Sequence, residues 1–366
     1  MVLPLIESSS AIEQRIEKAI DHFVGKGSKA VRNFFSEDVK GFLEEVQSFD
    51  EELRANPETY ITTRNIFRAK CNRIIEVGEE VVKSVKNRQI GKIIKRQFRE
   101  LLAPCYKENP FIMRGLQKPR GYPGDYMMME MGYKRETSQT GGFAGELDLY
   151  FFDRYNCIVC RKEKIKNYLR EAIQKSTRKA IRVFTLGGGS SREWAELDQE
   201  LSGNNRKRVL LTYLDHDEEA LRFSKNRLGV LKTPNLVEYC NESLLRFRDS
   251  SEWHERAGSF DFVYAMGIAD YFPDKLLCEI SHRAMELVSP GGQFVIAHKD
   301  KERFFFPLLD WICDWNFVHR GETEFLALIG KARKGLNGAF EVKIDREKTG
   351  EIIFLIVTRK KKGIAS

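Results

Sequence analysis

Two short stretches carry residue types and spacings suited to holding a nucleoside-like ligand. In Arg182-Val-Phe-Thr-Leu-Gly-Gly-Gly-Ser-Ser-Arg-Glu-Trp-Ala-Glu-Leu197, an apolar run ends in Gly187, Gly188 and Gly189 and passes into a helical pattern. A strand, a glycine turn and a helix start bring bare backbone close to a ligand and aim unpaired N–H groups at it. Ser190, Ser191 and Glu193 have the spacing of a capping box at that helix start. The second stretch, Val209-Leu-Leu-Thr-Tyr-Leu214, reads as the next strand and stops at Asp215. A carboxylate in that place can accept hydrogen bonds from both hydroxyls of a ribose.

Spacing narrows the ligand further. After Gly187 and Gly189, the third glycine of a dinucleotide fingerprint would fall at Arg192, and no Gly-Lys-Ser/Thr triphosphate loop follows. A glycine turn with a ribose acid and no phosphate fingerprint points to a nucleoside without a pyrophosphate. The pair of motifs resembles those of class I S-adenosylmethionine-dependent methyltransferases. That resemblance implies S-adenosyl-L-methionine as cofactor, held by Gly187, Gly188, Gly189 and Asp215. One position differs: the acid often found two residues before the first glycine is Thr185 here.

Further segments take their meaning from this frame. Cys240-Asn241-Glu242-Ser243 follows the third strand candidate, and Asn241 is placed either to bind the adenine amino group or simply to cap a helix. Met266-Gly267-Ile268-Ala269-Asp270-Tyr271 follows the fourth; in the methyltransferase fold this segment faces the sulfonium and the acceptor, which singles out Gly267 and Tyr271. Ser289-Pro-Gly-Gly-Gln-Phe-Val-Ile-Ala-His298 is similar to the proline-glycine-glycine turn before the fifth strand. An anionic carboxylate acceptor would need a cation to position it, with Arg120 and Arg114 as candidates. A hydroxyl or amine acceptor would want a base, with His298 or Asp270 as candidates. His298 also reads as a core histidine.

The elements that must position these residues fall into two parts. Residues 1–145 show helix-period apolar positions: Ile12, Ile16, Ile20 and Phe23 mark one helix, Val31 to Val46 a second broken near Ser36, and Ile61 to Leu102 one or two more with a break near Gly91. This all-helical domain ends in a loop at 109–126, where three prolines and three glycines fix the backbone around Arg120, Tyr122 and Asp125. Such a loop more often serves a site than a connection. It is expected to close a methyl-transfer chamber, with Tyr122 and Arg120 on the catalytic side and Asp125 on the cofactor side. Thr137 to Gly145 reads as a hinge. Residues 146–366 alternate helical runs with seven strand candidates, the last two close enough to form an antiparallel hairpin. The expected fold is therefore α/β: a seven-stranded, mostly parallel, Rossmann-like methyltransferase sheet after an all-helical N-terminal domain.

Lys118-Pro-Arg-Gly-Tyr-Pro-Gly-Asp125, Phe260-Asp-Phe-Val-Tyr-Ala-Met-Gly-Ile-Ala-Asp-Tyr271 and Asp314-Trp-Asn-Phe-Val-His-Arg320 together are similar to a bacterial group of extracellular-factor, 3-hydroxypalmitic acid methyl ester biosynthesis proteins. The likeness runs from about Asn109 to Val357. It implies methyl transfer to a fatty or other organic acid. Pro123 and His298 stand where that group is expected to carry a small residue and an asparagine.

Composition bounds the rest. No run of about 18 apolar residues and no leader pattern at Met1 suggests a membrane span or export, so a soluble cytoplasmic protein is expected. Seven cysteines, odd in number and without a framework, suit a reducing compartment, and Cys157-x-x-Cys160 lacks the second pair of a zinc site. The presumed pocket shows no metal-ligand spacing, so no metal is expected. The net charge of +8 is concentrated between Lys83 and Arg99, seven cations with no acid among them, on an amphipathic helix. A solvated face is the plainer reading; an acidic partner such as a carrier protein, or a nucleic acid, is the alternative, and the charge is modest for the latter. Two rival functions follow: an RNA or protein methyltransferase docking through residues 83–99, and a non-catalytic S-adenosylmethionine sensor. The oligomeric state is open.

Overall fold

A computed structural model describes residues 8–23, 29–55, 60–107, 109–135, 142–201 and 208–361. The chain forms two compact units, and neither is continuous in sequence: one comprises 1–124, 134–154 and 305–316, the other 125–133, 155–304 and 317–366. A single cut at 145 therefore does not describe the division. The chain passes between units four times more than that cut allows, because the segments 125–133 and 305–316 each pack away from their sequence neighbours.

The first unit is helical among its described residues. Its apolar periodicity buries Phe34, Phe35, Phe98 and Trp311 together, with Trp311 meeting Phe34 and Phe98 edge-on at 5.9 and 5.2 Å. The interruption near Ser36 is a π-helical turn, Phe34–Val39, rather than a break. The long helical run does divide, but not at Gly91. Val85 ends one helix, Lys86 turns left-handed at φ 51°, and the Asn87 side chain accepts from the amides of Gln89 and Ile90 to start Arg88–Tyr106. Gly91 sits inside that second helix, against Val82. The basic segment is only partly a solvated face: Lys95 pairs with Glu79 and Asp310, both at 2.6 Å, and Arg99 with Asp314. Asp310 and Asp314 come from a distant part of the sequence, Glu79 from the preceding helix.

Most of the proposed hinge, residues 137–141, lies outside the described residues, and Gly142 to Gly145 begin the helix Gly142–Arg154. In the Pro/Gly loop, Lys118 adopts left-handed backbone and pairs with Asp314 at 2.6 Å, and Gly121 has φ 83°.

The second unit is the seven-stranded sheet expected from the alternation. Strands β1 (Ala180–Leu186), β2 (Arg208–Asp215), β3 (Leu236–Asn241), β4 (Phe260–Ala265) and β5 (Val288–Lys299) are parallel; β7 (Ile352–Arg359) is antiparallel to both β5 and β6 (Phe340–Arg346). The order is β3-β2-β1-β4-β5-β7-β6, so the chain reverses direction across the sheet between β1 and β4. Open sheets of this kind present their ligand site at the carboxyl ends flanking that reversal. One face buries Phe184, Phe247, Trp253, Phe260 and Val263 in a continuous core with Ile280, Leu287 and Ile329. This is the class I methyltransferase architecture.

The helical unit offers a direct test of packing. A methyl added at Gly78 would lie 2.3 Å from Cη2 of Trp311. Gly78→Ala gains about 1 kcal/mol of helix propensity but forces the indole to shift, at about 1–3 kcal/mol or more. Thermal melts should show the variant less stable than wild type; an unchanged midpoint would mean that Trp311 yields freely.

Candidate functional site

The glycine turn is fastened to the end of β2 from below and left open above. Gly187 and Gly188 donate to the Leu214 carbonyl at 2.9 and 3.2 Å. The Gly189 carbonyl accepts from the hydroxyls of Tyr213 and Ser224. Only glycine suits the first two positions. Gly187 has φ 65°, with Ile268 2.7 Å from where a Cβ would stand, and a Cβ on Gly188 would meet the Tyr213 ring at 2.2 Å. Gly189 differs: its φ is 55°, yet a Cβ there would meet nothing within 4 Å. A left-handed glycine bordering open space at the carboxyl end of β1 is backbone bared towards a ligand.

Asp215 closes this turn. One of its oxygens accepts from the Gly189 amide at 2.9 Å, the other from the Asp217 amide at 3.0 Å. Burial pushes the carboxyl up, opposed by those two amides. Each oxygen keeps a lone pair, so the residue fits a ribose diol while also holding the turn in shape. Asn241 ends the neighbouring strand, in register with Asp215, and its amide donates to the His216 carbonyl at 3.5 Å. Its side chain is exposed at the rim of the same edge. The helix after Asn241 is capped by Ser243, which removes the simple capping role from Asn241. These residues fit a nucleoside cofactor.

The capping box does not form. Ser191, left-handed at φ 52°, makes no side-chain cap bond, and Glu193 turns inward instead. There it accepts a 2.6 Å hydrogen bond from the Tyr264 hydroxyl, which in turn accepts from the Trp194 indole at 2.9 Å. Burial raises the Glu193 carboxyl. The Tyr264 hydroxyl also meets Thr185, so the neighbourhood that lacks an acid on β1 receives one from the following helix.

Asp125 begins the helix Tyr126–Lys134 by accepting from the Met128 amide at 2.8 Å, and it is buried there. This helix is tied to the glycine turn. Glu130 receives both terminal nitrogens of Arg227 at 2.7 Å and Nη1 of Arg192 at 3.1 Å, while Arg227 also donates to the Ser190 carbonyl at 2.8 Å. Burial would raise the Glu130 carboxyl, but the two guanidiniums and the Ser190 hydroxyl hold it below its usual range. None of Glu130, Arg192 or Arg227 was marked by the sequence motifs.

A second cluster lies at the carboxyl ends of β4 and β5. Asp270, fully buried in the turn after Gly267, accepts from the Lys299 ammonium at 2.5 Å and from the Lys299 amide at 2.9 Å. His298 Nδ1 is 2.8 Å from Asp270 but off the line of a hydrogen bond, and neither ring nitrogen has a hydrogen-bond partner. The imidazole packs on Phe325. Burial alone would raise the Asp270 carboxyl; Lys299, His298 and Arg161 outweigh it and hold it far below the usual carboxylate range. Burial pulls Lys299 down in turn, opposed by its short contact to the Asp270 carboxylate. Tyr271 packs at a tilt on Phe317 at 5.7 Å; Phe317 also meets Phe304 edge-on and has the Lys299 ammonium 4.3 Å from its ring centroid. The turn itself is clamped by Arg320, which donates to the carbonyls of Ala269 and Phe272 and to Asp274. Val318 donates to the Asp270 carbonyl at 2.7 Å. Two of the three sequence stretches that carry the family resemblance thus pack on one another.

Gly187, Gly188, Gly189, Asp215, Asn241, Gly267, Tyr271 and His298 all belong to the sheet unit, at the carboxyl ends of its strands. Arg120, Tyr122 and Arg114 belong to the helical unit, where each is half-buried and engaged by neighbours. Among the described residues no three His, Cys, Asp or Glu side chains gather as a metal site, and no helix is long and apolar enough to cross a membrane. All seven cysteines are thiols.

No protein-family model matches the chain, and no curated protein matches it. Among solved structures, a possible exported protein from Bordetella parapertussis aligns with 97% of this chain and 98% of its own at 15% identity, with a TM-score of 0.51. Magnesium protoporphyrin IX methyltransferase from Synechocystis PCC 6803 aligns with 68% of this chain and 98% of its own, at 11% identity and a TM-score of 0.45. An O-methyltransferase family protein from Burkholderia thailandensis aligns over 57% and 59% of the two chains, at 18% identity and a TM-score of 0.41. At these identities the first likeness speaks to the fold alone, and the other two carry no argument about the reaction.

Two expectations follow from the geometry. Gly189→Ala should cost about 1–2 kcal/mol of stability for its left-handed backbone and, if the cofactor seats on this turn, at least a tenfold loss in calorimetric affinity for S-adenosylhomocysteine; equal affinity would place the ligand elsewhere. For Asp270, whose folded pKa is depressed, the stabilisation is present above its ordinary value of 3.8 and lost as pH falls below it. The stability gap between wild type and Asp270→Asn, from denaturant melts, should therefore be widest near neutrality and shrink from about pH 4 downwards; a gap independent of pH would contradict an ionised Asp270.

Proposed function

We propose that the protein is an S-adenosyl-L-methionine-dependent methyltransferase acting on a small molecule, with the carboxylate or hydroxyl of a fatty or other organic acid as acceptor. The observation that carries this reading is the Gly187–Gly189 turn closed by Asp215 at the switch point of a methyltransferase-type sheet. Bound there, the cofactor would supply an already activated methyl group. Asp215 would hold the ribose, Asn241 and Gly267 the flanking edges, and the helix Tyr126–Lys134 would keep the turn in place through Glu130.

The chain's own task is then to align the acceptor and exclude water. Asp270, held far below the usual carboxylate range, is a poor base near neutral pH, which leaves His298 as the base for a hydroxyl acceptor, whereas a carboxylate acceptor arrives already ionised and needs none. Tyr271 and His298 line the acceptor side in this reading. Support for nucleic-acid docking through residues 83–99 is weakened because Lys95 and Arg99 are spent on internal ion pairs. The exposed Lys83, Lys86, Arg88 and Lys92 leave room for an acidic carrier protein. Seven unpaired cysteines favour a cytoplasmic setting.

The test is mass spectrometry of a cell extract incubated with the protein and methyl-labelled cofactor, with Asp215→Asn alongside. A labelled organic acid ester or ether should appear with wild type. The variant should lose about 1.5–3 kcal/mol of cofactor affinity with its charged acceptor. Absence of any labelled small molecule, with wild-type cofactor affinity in a folded variant, would overturn the reading.

A further inference from the structure

Within the sheet unit, the helix Asn156–Lys175 sends Arg161 into the interior beside the turn after β4. Its side chain is 5% exposed. Nη1 stands 4.0 Å from Asp270, too far for a hydrogen bond, Nη2 has the Met129 sulfur at 3.9 Å, and the Tyr133 hydroxyl takes a further hydrogen bond from the guanidinium. Nε has no partner at all. The Tyr133 hydroxyl lies beside the guanidinium, its phenol pushed up to about 12 by burial against the pull of Arg161. Gly267 passes close by: a Cβ on it would stand 3.5 Å from Nη2.

Charge counting makes this arrangement incomplete. Two buried cations, Arg161 and Lys299, share one carboxylate, and Lys299 holds that carboxylate at 2.5 Å. The other buried acids nearby are occupied. Glu193 is turned to Tyr264, Glu130 to Arg192 and Arg227, and the half-buried Glu351 to the Cys157 thiol. A guanidinium taken out of water with no anion of its own is costly unless one arrives. Its planar fork matches a carboxylate in particular.

We infer that Arg161, with the Tyr133 hydroxyl as second donor, binds a carboxylate beside Gly267 at the carboxyl end of β4. This deepens the proposed function and rests on it for the identity of the ligand. The carboxylate has two possible sources, the amino-acid tail of the cofactor or the acceptor. If the acceptor is the source, Arg161 takes the part that the sequence offered to Arg120 and Arg114.

The experiment is calorimetry on wild type and Arg161→Gln with three probes: S-adenosylhomocysteine, 5′-methylthioadenosine (which lacks the amino-acid carboxylate) and dodecanoate. A cofactor source predicts at least a tenfold loss for S-adenosylhomocysteine and none for methylthioadenosine. An acceptor source predicts that loss for dodecanoate alone. The ligand-free variant should melt at or above the wild-type temperature, because an unpaired buried cation has been removed. Both carboxylate probes binding the variant within twofold of wild type, or an equal loss for methylthioadenosine, would overturn the assignment while leaving the methyltransferase reading intact. So would a lowered melting temperature in the ligand-free variant, the mark of a purely structural ion pair. Wild type binding no S-adenosylhomocysteine would instead overturn the methyltransferase reading. Dodecanoate alone would then decide Arg161, and binding of neither carboxylate would overturn the assignment as well.

Discussion

Asp270 holds together more of the sheet unit than any other single group described above. Its carboxylate joins the end of β4 to the end of β5 through both the ammonium and the amide of Lys299, and its carbonyl fixes Val318. Arg320 then clamps the same turn from outside by way of Ala269 and Phe272. A buried carboxylate survives only when its negative charge is answered by donors at close range. Here the answer comes from elements that are distant in sequence but converge where the two strands end. The position of the turn that carries Gly267 and Tyr271 is thus a consequence of ion pairing, in a place where apolar packing alone would leave the loop free to shift.

The glycine turn follows a different logic. It is held by backbone amides and by Asp215, with Tyr213 packed so close beneath Gly188 that any side chain would displace the ring. Rigidity below and open space above Gly189 are two sides of one arrangement. The turn can approach a ligand because nothing of the protein stands in front of it, and it can keep its shape because β2 is bonded to it from behind.

The sheet was legible because strands such as Phe260–Ala265 and Ile352–Arg359 are apolar runs bounded by turn residues, a pattern that needs no tertiary information. Gly187, Gly189 and Asp215 were legible for the same reason, since local backbone demands write themselves into local residue types. Charges were not. Arg161 and Lys299 carry no local motif, and only the fold buries them. Glu193 satisfies the spacing of a capping box but finds a better partner in Tyr264, seventy-one residues away. Gly91 looked like a helix break because glycine weakens a helix, whereas Asn87 makes the break by capping. The division into units escaped for a related reason, because a cut in sequence cannot represent segments that leave a unit and return.

The salt link from Glu130 to Arg192 and Arg227 bears on modularity. The segment 125–133 belongs to the sheet unit, yet on both sides its chain continues into residues of the helical unit. A sheet excised at residue 146 would keep all seven strands and lose Glu130, leaving two arginines at the glycine turn without their shared counter-ion. This sheet is therefore not a cassette that recombination can lift out and graft behind a different N-terminal half. Any exchange that preserves the turn must carry the strap 125–133 along with it.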